Sequence, residues 1–125
     1  MPKNVLLAED EPNIVESLTF LLERAGYAVS SEQDGQAALD AALAKRPDLV
    51  ILDVMLSGID GFEILRRLRA EESFKGTPII MLTAKGQRED REAALKAGAN
   101  LYITKPFSNA EVIEAVKSLV NGESA

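Results

Sequence analysis

The chain reads as an α/β protein, a doubly wound three-layer sandwich of five βα units around a parallel sheet. Three observations predict it. Short apolar runs of strand length alternate along the sequence with segments whose apolar residues recur at helical spacing. Five such units are too few for the closed barrel that βα repeats also form, and right-handed crossovers then place helices on both faces of an open sheet. The strand-like runs also end in polar chemistry, at the carboxyl edge where open α/β sheets bind ligands. Val5-Leu6-Leu7-Ala8 leads into Glu9, Asp10 and Glu11, Leu49-Val50-Ile51-Leu52 into Asp53, Ile79-Ile80-Met81-Leu82 into Thr83, and Tyr102-Ile103-Thr104 into Lys105 and Pro106.

Taken in order, the strands are expected at residues 3–8, 27–31, 48–53, 78–83 and 100–104. The first helix opens on Pro12, carries Ile14, Leu18, Leu21, Leu22 and Ala25 on its apolar stripe, and stops at Gly26 in a left-handed conformation. The second, about 35–45, is expected to bury Ala38, Leu39, Ala42 and Leu43. Asp60 with Glu63 forms the capping pattern of the third, which presents Phe62, Leu65 and Leu68. The fourth, about 88–97, ends at Gly98 and has only Ala94, Leu95 and Ala97 to anchor it, so it should be the least firmly held. Ser108 with Glu111 caps the fifth, whose apolar positions are Val112, Val116, Leu119 and Val120. Residues 1–125 make a single domain, with a core of about 3–120 and a short polar tail from 121.

Composition narrows the function classes. With no Cys and no His, zinc sites, disulfides and a phosphohistidine on this chain are excluded. A net charge of −6 argues against direct nucleic-acid binding, which needs a basic stripe. The apolar runs are too short to span a bilayer and the start lacks a signal-peptide pattern, so a cytoplasmic location is the simple expectation.

Glu9, Asp10 and Asp53 in one cleft would repel, so the site should bind a cation or raise a pKa. Carboxylate oxygens with room for water suit Mg²⁺. Lys105 could neutralise one phosphoryl oxygen and the Thr83 hydroxyl could donate to another, leaving Asp53 as nucleophile. Taken singly, each residue also has a duller role. Asp after a strand serves as a turn residue, Glu9-Asp10-Glu11 before Pro12 complements a helix dipole, and Tyr102 packs a half-buried strand. Their joint placement at strand ends favours the site.

These residues resemble the receiver domain of two-component response regulators, of the single-domain chemotaxis-regulator kind, from residue 3 to about 120. The resemblance rests on Glu9-Asp10, on Asp53 within Asp-Val-Met-Leu-Ser-Gly-Ile-Asp-Gly, on Thr83-Ala84, and on Tyr102-Ile-Thr-Lys105-Pro106-Phe107. It implies the flavodoxin-like strand order 2-1-3-4-5, which periodicity does not reveal. It further implies that Asp53 accepts a phosphoryl group from a sensor histidine kinase or histidine phosphotransfer protein, and that the domain assists its own dephosphorylation. Asp10, Asp53 and the Met55 main-chain carbonyl would hold Mg²⁺, with Glu9 acting through water. Thr83 and Tyr102 would be the switch, Ala84 would leave the acceptor open, and the Lys105-Pro106 bond would be cis. Output would pass through the face of the fourth helix, fifth strand and fifth helix to a downstream partner or an output domain, as a monomer or weak phosphorylation-dependent dimer.

Two departures matter. Ser57 replaces the usual proline after the acceptor, which should cost the loop some rigidity. Asn100, Leu101 and Ala115 stand where receivers joined to DNA-binding domains carry two acids and an arginine, which puts their ion-paired dimer in doubt. A stand-alone receiver is the preferred expectation, with the receiver of a longer regulator as the other. The competing enzyme class is a haloacid dehalogenase-type phosphatase, but Met55 occupies the place of its second Asp.

Overall fold

The computed structural model describes residues 3–83 and 88–120; the expectations for Ala84 and for the tail from 121 lie outside them. Five parallel strands, β1 (Asn4–Ala8), β2 (Ala28–Glu32), β3 (Leu49–Asp53), β4 (Ile79–Thr83) and β5 (Leu101–Thr104), pair in the order β2-β1-β3-β4-β5. The connecting helices are α1 (Pro12–Arg24), α2 (Gly35–Lys45), α3 (Gly61–Ala70), α4 (Arg88–Lys96) and α5 (Asn109–Val120), with a short 3-10 turn at Glu72–Phe74. The boundaries differ from expectation by a residue, as strand ends usually do.

The strand period of two builds two cores from one sheet. Leu6, Ala8, Val50, Leu52, Ile79, Met81 and Tyr102 face Ala38, Leu39, Ile64, Leu65, Leu68 and Ala94 from α2, α3 and α4. Val5, Leu7, Leu49, Ile51, Ile80, Leu82 and Ile103 face Leu18 and Leu22 of α1 and Val112 and Val116 of α5. β3 and β4 are buried along their whole length, which is why they read as continuous apolar runs.

Helix ends follow local chemistry. Pro12 begins α1, and Gly26 takes φ +102 just past its end. Asp34 accepts the Ala37 N–H at 3.0 Å to cap α2, and Asp60 accepts the Glu63 N–H at 2.9 Å to cap α3. The Glu63 carboxylate does not complete a capping box, because Arg66 and Arg67 donate to it at 2.8 and 3.0 Å and hold its pKa low. Ser108 caps α5 as expected, accepting the Glu111 N–H at 3.1 Å.

Three apolar expectations are corrected. Leu43 and Leu95 are 40% and 46% exposed, lying off the side of their helices that meets the sheet, and Ala25, just past the end of α1, is exposed. Among the described residues, no helix is long and apolar enough to cross a membrane.

Candidate phosphoryl-transfer site

The strand order sets β1 between β2 and β3, and the register pairs Ala8 with Leu52, so Glu9 and Asp53 leave the sheet side by side. On the other flank Asp53 pairs with Leu82, and Thr83 with Thr104, which brings the β4 and β5 ends to the same edge. Each polar group is there because an apolar strand, buried on both faces, delivers it.

Asp53 is 1% exposed. Its Oδ1 accepts the Met55 N–H at 3.0 Å and its Oδ2 accepts from Lys105 Nζ at 2.9 Å. Glu9 is fully buried, its Oε2 accepting the Glu11 N–H at 3.0 Å and Lys105 Nζ at 3.3 Å. Its Oε1 lies 3.0 Å from Nζ yet makes no hydrogen bond. Burial, joined by a hydrogen bond and charge repulsion from Asp53, pushes the Glu9 carboxyl up to about 7. Burial alone would lower the Lys105 pKa, but hydrogen bonds to Asp53, Glu9 and Glu11 overcome it and raise it, so the ammonium stays charged.

Glu9, Asp10 and Asp53 each offer a carboxylate oxygen within 4.8 Å of the others, with Asp10 exposed to solvent. All-oxygen donors, an orphaned buried Oε1 and one open side fit a hard divalent cation that keeps some of its water. Thr83 is 1% exposed at the end of β4, and its carbonyl accepts the Lys105 N–H. Tyr102 is 5% exposed, with the Arg91 guanidinium 5.7 Å from its ring centroid. The Lys105-Pro106 bond is cis.

The loop after Asp53 is tied down at both ends. Gly61 N–H donates to the Val54 carbonyl at 3.0 Å. Ser57 pairs with Asp34 in a parallel bridge, and its carbonyl accepts the Gly35 N–H at 2.8 Å. Ser57, at the position of the missing proline, is thus joined to the α2 corner.

Sequence reasoning missed two features. Glu11 joins the site by accepting from Lys105 at 3.1 Å, although its place beside the acid pair was a visible signal. A cavity of about 510 Å³ opens next to Lys105 between the start of α1 and the β5–α5 loop, lined by Asn13, Ile14, Ser17 and Phe107 among others. Nothing in one sequence announces that these two segments face each other.

The model of the response regulator receiver domain matches residues 5–117. The chain belongs to that family. The receiver is 44% identical over 120 residues to the alkaline phosphatase synthesis transcriptional regulatory protein PhoP of Bacillus subtilis, an alignment covering 96% of this chain and 49% of that protein. It is 41% identical over 118 residues to the phosphate regulon regulator PhoB of Pseudomonas aeruginosa, covering 94% of this chain and 52% of the relative. The chain therefore spans about half the length of these relatives. Among solved structures, a putative response regulator from Chloroflexus aurantiacus superposes with a TM-score of 0.90 at 37% identity, covering 97% of this chain and 99% of that one. The receiver domain of a sensor histidine kinase from Pseudomonas aeruginosa, solved with a magnesium ion coordinated in its active-site cleft, does so with a TM-score of 0.84 at 34% identity, covering 98% and 100%. As a receiver, the chain is a phosphorylation-activated signalling switch, and the dehalogenase-type alternative gains no support.

Proposed function

We propose that Asp53 is the phosphoacceptor of this receiver and that a sensor histidine kinase or a histidine phosphotransfer protein is its donor. The observation that carries this reading is the buried Asp53 carboxylate, held on one oxygen by Met55 N–H and on the other by Lys105. These contacts fix its orientation for in-line attack, so that the Asp53 Oδ–phosphorus bond forms as the donor's phosphorus–nitrogen bond breaks. Lys105 then follows the charge onto the phosphoryl oxygens. Asp10, Asp53 and the Met55 carbonyl would ligate Mg²⁺, with Glu9 acting through water. The cation supplies charge neutralisation for the transferring group.

Thr83 turns toward the new phosphoryl oxygens and the Tyr102 ring, already buried in the first core, shifts with it, which alters the α4–β5–α5 face read by a downstream partner or output domain. Hydrolysis of the acyl phosphate within the same site resets the switch. The protein works in the cytoplasm, as a monomer or weak phosphorylation-dependent dimer.

Incubation with Mg²⁺ and a small phosphodonor, followed by intact mass measurement, tests the reading. Wild type should gain one phosphoryl group, and Asp53→Asn should gain none. Labelling of Asp53→Asn, or full labelling of wild type in excess chelator, overturns it.

A further inference from the structure

We infer that Gly35, the first residue of α2, is a positioning residue for the cation-binding loop 54–60. The inference rests on the proposed role of Asp53 and the Met55 carbonyl in holding Mg²⁺. Gly35 is helical and needs no glycine for its φ, so only space forbids a side chain there. That space is absent. A Cβ on Gly35 would lie 1.9 Å from the Ile59 carbonyl oxygen and 2.8 Å from the Ile59 nitrogen, both backbone atoms that cannot swing aside.

The close approach lets the Gly35 N–H reach the Ser57 carbonyl at 2.8 Å, beside the Asp34–Ser57 bridge. The loop meets the corner on a second glycine as well. Gly58 has φ +81, and a Cβ there would sit 3.2 Å from Oδ1 of Asp34, whose other oxygen is committed to capping α2. Residues 57–59 are therefore clamped against a rigid helix start, while the same loop's Met55 presents its N–H to Asp53. Groups outside the ligand set that orient the ligands also set metal affinity, and losing one typically weakens binding about tenfold to a hundredfold.

Calorimetric Mg²⁺ titration of Gly35→Ala against wild type tests this, with Gly76→Ala as control because a Cβ at Gly76 meets nothing within 4 Å. Gly35→Ala should bind Mg²⁺ roughly tenfold to a hundredfold more weakly, and Gly76→Ala should match wild type. Alanine ordinarily strengthens a helix relative to glycine, so a variant that keeps its helical spectrum while losing Mg²⁺ affinity points to positioning. A second measurement uses wild type alone: if loop and cation are linked, Mg²⁺ should slow amide exchange at Gly35 several-fold, although no ligand is nearby in sequence. Equal Mg²⁺ affinity in Gly35→Ala and wild type overturns the inference, and so does a Gly35 amide indifferent to Mg²⁺. Wild type that binds no Mg²⁺ overturns the reading of the site itself.

Discussion

Glu9 is the residue whose environment is most costly, since its carboxyl is fully buried beside Asp53 and shares one ammonium with two other carboxylates. Its pKa of about 7 in the folded state, against an ordinary 4.5, means that between those values the folded protein holds a proton that the unfolded chain has released. Stability therefore falls as pH rises through that window, and the contribution is fully present only below it. In chelator, the melting temperature should drop as pH is raised from about 5 to about 7. Asp53→Asn removes both the hydrogen-bonding and the Coulombic influence that raise Glu9. That variant should flatten the slope and melt higher than wild type at neutral pH without Mg²⁺, by about 1 kcal/mol or roughly 4 °C. Asp10→Asn should act in the same direction but less, because Asp10 is exposed. Lower metal-free melting in both variants would show that the carboxylates' hydrogen bonds outweigh their repulsion.

Among the described side chains of α4, Ala94 alone is buried, so what fixes this helix is its carboxyl end. Arg69, on α3, donates Nε to the Gly98 carbonyl at 2.9 Å, Nη1 to the carbonyls of Phe74 and Thr77, and Nη2 to Asn100 Oδ1 at 2.8 Å. Asn100 Oδ1 in turn accepts the Ile79 N–H at 2.9 Å, so one guanidinium ties α3 to the α4–β5 junction and the start of β4. Arg69→Met keeps the stem and loses these donors, leaving the part-buried Gly98 and Thr77 carbonyls without them. It should cost about 2–4 kcal/mol in denaturant unfolding, and a change under 1 kcal/mol, about the worth of one ordinary hydrogen bond, would refute the anchoring role. The elements themselves were legible in the sequence because β1, β3 and β4 are apolar runs that end on or beside the site residues Glu9, Asp53 and Thr83. Arg69 was not legible, since a guanidinium satisfied by main-chain carbonyls leaves no partner residue type to search for. Leu43 and Leu95 were misplaced for a related reason: in α2 small and apolar residues surround the axis, and in α4 the apolar residues are too few to mark a face, so only the packed sheet decides which side is inside. Gly35 read as a mere helix start because its neighbour Ile59 is distant in sequence.

At the scale of the whole molecule, a charge added at Asp53 reaches a partner only through an element with two arrangements. The central strands β1, from Val5 onward, and β3 have none to spare, being buried on both faces. Thr83 leaves the sheet next to Asp53's neighbour Leu82, and Tyr102 pairs with Met81 two residues earlier on the same strand. Arg91 of α4 lies over the Tyr102 ring, so a movement of the ring is felt on the outside of α4, while Arg69 holds the far end of that helix still. The response should therefore be graded along α4, pivoting about its carboxyl end. NMR shifts with and without beryllofluoride, a phosphoryl mimic, should change at Asp53, Thr83, Tyr102 and Arg91 and diminish toward Gly98 and Asn100. Leu18 and Leu22 of α1, packed on the opposite face, should stay nearly unmoved. In Arg69→Met the gradient should flatten, with Gly98 and Asn100 shifting as much as Arg91. Changes confined to the loops around Asp53, leaving residues 88–104 untouched in both proteins, would mean that the signal leaves the molecule by another face.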